Sequence, residues 1–451
     1  MHSTLNFLIN PFLSGIFRFV RVMKKLLCTL LIIYVAFMPI FSQAQDNGLF
    51  LFNDPHISYS NNNYIVTLEV VCAFDERFPV PTVQDIQEIL AEAKRIFEHK
   101  FDKTIQIDFH INKALRLDTL FSQINYQHSE LYQYLRSWRV NIFNADRPFL
   151  PSVENYKNHV IDFLKQWDIN SLQSIFYNTA ISSYHEAYDA LIKEYKKKAK
   201  WLRNLKTADG KKIVIENIPY YSFIEWIAFL YNQSDYDIII TNTLIAEDNG
   251  SEPYPHSIFC KCKIGGCAAP SPKRIMLSQH SVMISTFELY NNVPGFSSHL
   301  SDNTNAYKNK ILGGYLLAHE LGHAFYAIPD MYDHPSSCLM NTTYEAMDYE
   351  CGYLRLISTM TPCDLCKPYV TAKKELLTAE LEYYQKKYYI AGFHFLNALN
   401  IIPEDSIIDM HAFAKLIVTK AKICFEHTVC TDCINECQEI LDYLETFEEA
   451  Y

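Results

Sequence analysis

Glycine is scarce in this chain, 12 residues in 451. So little glycine excludes a fibrous or low-complexity protein, and a hydrophobic content of 49% is ample for real cores. Basic charge is also in deficit, with 40 Lys and Arg against 51 Asp and Glu, a formal −11. An acidic protein does not attract nucleic acid or anionic lipid, so neither is an expected partner. The basic run Lys193 to Lys206 is read as a solvated helix face. No internal repeat is evident. Long hydrophobic runs are missing apart from Leu26 to Phe41, which is too short to span a bilayer comfortably.

That run has a basic start, Met23-Lys24-Lys25, and a small-residue exit, Ser42-Gln43-Ala44. The pattern is that of a secretory signal peptide over residues 1–44, cut after Ala44, with Met23 a plausible initiator. An uncleaved anchor is the competing reading, and Pro39 and the small-residue exit argue against it. Cleavage takes Arg18, Arg21, Lys24 and Lys25 from the 40 basic residues, leaving 36 against 51 acidic ones, a formal −15. The expected destination is secreted or periplasmic, with no membrane partner once the signal is removed.

Thirteen cysteines less Cys28 leave twelve, an even number in an exported chain, where disulfides are the default. Cys260, Cys262 and Cys267 share a tight loop and could take Cys72 as a fourth. Cys338, Cys351, Cys363 and Cys366 form a second neighbourhood, and Cys424, Cys430, Cys433 and Cys437 a third. The CxxC pairs Cys363/Cys366 and Cys430/Cys433 keep structural zinc open as the alternative.

The most specific signal is His319-Glu320-Leu321-Gly322-His323, an HExxH motif. Histidines four apart share one helix face, so both imidazoles can reach one cation. Glu320 is then placed to hold a water on that cation and take its proton. By chance the pattern arises in roughly a few per cent of such chains. Its apolar surroundings, Ile311 to Ala318 and Ala324-Phe325, decide for a metal, because two histidines and a carboxylate on a buried helix are costly to desolvate without one. A third ligand is needed. Pro329 forces a turn that can return Asp330 to the metal; Asp333 and His334 are nearby competitors, and Glu345 or Glu350 could serve from a second helix.

Periodicity predicts a strand over Tyr64 to Ala73, a helix from Pro81-Thr82 to about Phe101, and a strand over Thr104 to Ile111. Residues 45–112 thus open an α/β layer. Residues 113–235 read as a helical insertion rich in Tyr, Trp and Lys. Residues 236–370 form the core, with a strand over Tyr236 to Thr243 and a run over Arg274 to Ser285 along the sheet edge, then the HExxH helix. Residues 371–451 read as amphipathic helices with a break at Pro403. The fold class expected is α+β, close to α/β.

At residues 319–366 the chain resembles the metzincin clan of zinc peptidases, whose signature is HExxH, a turn, a nearby third ligand and a methionine-bearing turn. Cys338-Leu339-Met340 looks like that Met-turn. The register His323, Asp330, Tyr332 is similar to the IgA-specific metalloendopeptidase-like family, and Cys338-x-Met340 followed by Cys363-x-x-Cys366 is similar to archaemetzincins, where such cysteines bind a second, structural zinc. The resemblance implies a twisted mixed sheet, a catalytic zinc on His319, His323 and Asp330, Glu320 as general base, and a protein or peptide substrate. Tyr344 could stabilise an oxyanion, as a tyrosine does in some metzincins. One departure stands out: most metzincins have glycine where this chain has Tyr326, and tyrosine resists positive φ. The function expected is an exported zinc endopeptidase. The alternative is an inactive peptidase-like module that binds a protein or glycan through the helical insertion.

Overall fold

Two consecutive asparagines, Asn61 and Asn62, sit at φ 52° and 63°. Asparagine tolerates this left-handed region better than most residues, and the pair turns β1 (Ile57–Ser60) back onto β2 (Asn63–Phe74). A computed structural model describes these elements within residues 50, 57–137, 153–165, 168–175, 180–233, 235–245, 266–270, 280–291, 306–329, 334–335, 338–340, 363–403 and 411–449. Thr82 caps α1 (Val83–Lys100) reciprocally: its hydroxyl accepts from the Asp85 N–H, while its own N–H donates to the Asp85 carboxylate at 2.9 Å. Ile86, Ile89, Leu90, Ala93, Ile96 and Phe97 then form the buried face that the sequence spacing predicts.

The chain returns as β3 (Ile105–Ile111), parallel to β2, and a short β4 (Leu115–Arg116) also pairs with β2. On the other side of β2 lies β5 (Ile238–Thr241), then β7 (His280–Ser285), both parallel, and finally β6 (Gly266–Pro270), antiparallel to β7. Together they make a mixed seven-stranded sheet in a mixed α/β fold. All four residues of β5 are buried, as expected of a parallel strand covered on both faces.

The expectation for Arg274 to Ser285 is corrected here. The run ends in an interior strand, and the sheet edge belongs to β6, from the cysteine-containing segment read as a loop. Gly-Cys-Ala-Ala-Pro has neither alternation nor β-branched residues, and an edge position demands neither.

Between β4 and β5 the chain is helical: α2 (Leu117–Ser122), α3 (Glu130–Ser137), α4 (Val153–Leu164), α5 (Ile169–Ile175), α6 (Tyr184–Asn204) and α7 (Phe223–Asn232). Val160, Ile161, Leu164, Leu191 and Leu202 of this region share one core with Phe78, Leu244 and Phe287, which flank the sheet strands. The helices are therefore continuous with the sheet in packing. Glu225 on α7 is buried and accepts from the hydroxyls of Tyr126 at 2.6 Å and Tyr132 at 2.8 Å. After β7 comes a single turn, α8 (Phe287–Tyr290), and then α9 (Ala306–Tyr326), which carries the HExxH motif.

Contacts divide the chain into two compact units, Tyr59–Cys363 and a second made of the chain up to Ser58 with Asp364–Tyr451. The second contains α10 (Lys367–Tyr384), α11 (Tyr388–Ile401), α12 (His411–Glu426) and α13 (Thr431–Glu449), each packed on the next. Gly392 lets α11 approach α12 so closely that a Cβ there would lie 2.6 Å from the Phe425 ring. Phe50 stacks on Tyr383 with centroids 3.5 Å apart. Lys373, Glu380 and Lys420 are buried in this unit, with Lys420 ion-paired to Glu380. Among the described residues, no helix is long and apolar enough to cross a membrane.

Candidate metal centres

Two pairs of glycines and partners set the position of α9. Gly313 and Gly314 bring it against α1: a Cβ at Gly314 would fall 2.6 Å from the Glu92 Cβ, and one at Gly313 3.0 Å from the Ile89 side chain. Near the start of the helix, Lys310 bridges Glu88 at 2.6 Å and Asp85 at 3.3 Å on α1. One turn from its end, Gly322 faces Met340, and any Cβ there would run into the methionine sulfur. Met340 is fully buried against Gly322 of the HExxH helix.

The helix continues through Tyr326, and the left-handed residue is Ala327 at φ 56°. This resolves the departure noted at Tyr326. The tyrosine stays helical, with its ring stacked on Phe97 at 5.2 Å and packed on Phe101 at 4.7 Å, and the reversal falls one residue later on a smaller side chain. Ile328 then follows, and its carbonyl accepts from His323 Nδ1 at 2.6 Å. His319 Nδ1 donates to the Leu339 carbonyl at 2.7 Å.

These two hydrogen bonds fix the chemistry of the pair. A carbonyl oxygen only accepts, so each Nδ1 carries a proton and each Nε2 is turned to the other ring. The two Nε2 atoms lie 3.0 Å apart. That separation is close to the N···N edge of about 3.3 Å of a tetrahedral metal with Zn–N bonds of about 2.0–2.1 Å. A carbonyl partner on the far nitrogen of each histidine is the usual outer support of a metal-ligating imidazole. The donors present therefore fit a metal ion.

Glu320 is buried, and its side chain lies against the backbone of β6: a Cβ at Gly266 would come within 2.9 Å of the Glu320 Cγ and Oε1. Cys267, next on β6, has its thiol pushed well up by burial and secondarily by the Glu320 charge, so it stays a neutral thiol. Asp330, Asp333, Tyr344, Glu345, Glu350, Cys351, Cys260 and Cys262 lie outside the described residues. Cys72 is a buried strand residue of β2 whose thiol burial pushes up to about 12.

A second cluster surrounds His334. Its Nδ1 lies 3.0 Å from Cys363 Sγ and 3.6 Å from Cys338 Sγ, and with Cys366 the four donor atoms fall within 4.8 Å of one another. This group could hold a metal ion, and three thiols with one imidazole are a donor set used by structural zinc sites. His334 therefore belongs with the three cysteines, whereas the sequence reading weighed it for the HExxH metal. The signal that could have found it is a ligand pair of spacing H-x₃-C followed by C-x₂-C. Cys338, Cys363 and Cys366 are not disulfide-bonded here, and of the cysteines beyond them, Cys430 and Cys433 lie at disulfide distance while Cys424 and Cys437 are buried thiols.

Compared with known proteins, the chain matches no family model, no curated protein and no solved structure.

Proposed function

We propose that the chain is an exported, zinc-dependent endopeptidase of metzincin type that hydrolyses peptide bonds in proteins or peptides. The observation that carries this reading is the imidazole pair, with both Nδ1 atoms committed to carbonyls and the two Nε2 atoms 3.0 Å apart. Three neighbours support it. Glu320 is the buried carboxylate between the two histidines in sequence, Met340 underlies the same helical turn, and an antiparallel edge strand runs beside Glu320.

His319 and His323 would hold the ion, with Asp330 as the third ligand. Bound zinc would supply Lewis acidity, lowering the pKa of a coordinated water and polarising a substrate carbonyl. Glu320 accepts a proton from water and delivers it to the departing amine. Its burial against Gly266 keeps the carboxylate in one place while it does so. No described strand pairs with the outer side of β6, so an extended peptide could lie along that edge by main-chain hydrogen bonds. The His334, Cys338, Cys363 and Cys366 group is read as a structural zinc centre, and Cys430/Cys433 as a disulfide suited to an oxidising compartment.

The test uses the chain lacking residues 1–44. Casein cleavage should be abolished by a chelator and restored by zinc. Glu320→Gln should retain its zinc, measured by atomic emission, while turnover falls at least a hundredfold. A chain that refuses excess zinc at the HExxH pair, or a Glu320→Gln variant as active as the parent, overturns the reading.

A further inference from the structure

The two candidate centres are joined by three consecutive residues. Cys338 belongs to the thiolate group, the Leu339 carbonyl holds His319 Nδ1 at 2.7 Å, and Met340 fills the space under Gly322. The link is tighter than covalent succession alone, because the Met340 N–H also donates to Cys338 Sγ at 3.4 Å. The Cys338 N–H in turn donates to the Pro335 carbonyl at 2.7 Å. The Leu339 carbonyl that holds His319 thus sits one residue from the Cys338 sulfur.

Resting on the reading of HExxH as a metal site, we propose that the His334–Cys338–Cys363–Cys366 centre is a positioning device for it: metal held there fixes Leu339 and Met340, and through them the orientation of His319. Three thiols and an imidazole gathered this closely make a donor set that a cation can draw together. With that centre empty, the Cys338–Met340 turn lacks the tether through Cys338 Sγ, and the Leu339 carbonyl is held less firmly. Outer partners of ligating histidines typically contribute 10–100-fold in metal affinity. Occupancy of the sulfur centre should therefore change HExxH affinity by about tenfold or more.

Cobalt(II) separates the two centres, since only the sulfur-rich one gives an intense thiolate charge-transfer band in the near ultraviolet. The full chain without residues 1–44 is stripped of metal and titrated with cobalt. The parent should bind two ions, one of them with that band. Cys363→Ser should lose the band, keep its helical circular dichroism, and bind cobalt at HExxH about tenfold or more weakly. Linkage is reciprocal, so His319→Ala should weaken the thiolate centre by the same factor as HExxH occupancy strengthens it in the parent. This second variant decides the matter should Cys363→Ser fail to fold. The inference is overturned if either variant leaves the remaining centre within twofold of its parental affinity. A parent that binds only the thiolate-linked cobalt instead overturns the HExxH metal reading, and the coupling with it.

Discussion

Tyr326 shows how one residue can decide a backbone path. A glycine there would permit an earlier turn out of the helix; tyrosine does not, and the chain moves its left-handed residue to Ala327. The ring is then free to join Phe97 and Phe101 in the core, where burial pushes its hydroxyl pKa well up. That hydroxyl has no hydrogen-bond partner among the described residues. Tyr326→Phe should therefore leave stability unchanged or raise it by up to about 1 kcal/mol in thermal denaturation. Tyr326→Gly should lower stability by about 3–5 kcal/mol through the lost aromatic contacts. The HExxH motif was legible at this scale because i, i+4 spacing is a property of one helix. The role of His334 was not, because its partners Cys363 and Cys366 lie 29 and 32 positions away and only the fold gathers them.

Among the elements, those with strong local periodicity were the legible ones: β2, α1, β3 and β5 fall where alternation or a 3.6-residue stripe places them. The edge strand β6 was missed because pairing with β7, rather than its own sequence, makes it a strand. The helical region between β4 and β5 was read correctly as helical, but nothing in the sequence revealed how it is fastened. Glu225 does much of that. Two tyrosine hydroxyls from Tyr126 and Tyr132 converge on its buried carboxylate, and burial together with the Glu225 charge pushes the Tyr126 hydroxyl up. Glu225→Gln should weaken both hydrogen bonds and lower the urea midpoint, corresponding to about 1–3 kcal/mol, with zinc content unchanged. A loss of zinc with stability intact would contradict this assignment.

For the molecule as a whole, pH dependence follows from a surplus of buried positive charge. Lys373 and Lys420 are buried beside Glu380, and Lys373 is held down to about 7, first by desolvation and then by the Lys420 charge, with Glu380 opposing. The unfolded value is 10.5. Between these limits the unfolded chain binds more protons than the folded one, so stability rises with pH. The penalty is full below about pH 7 and disappears above about pH 10.5. Melting followed by circular dichroism should give a temperature that climbs from pH 7 to pH 9 in the parent. In Lys373→Met it should start higher at pH 7 and climb less; a variant less stable than the parent at pH 7 would show that the lysine is satisfied rather than strained. A different consequence follows from β6. On the proposed peptidase reading, a peptide lying along β6 would be gripped through its main chain, so N-methylating it at every second residue should impair cleavage in one phase of the alternation and spare it in the other.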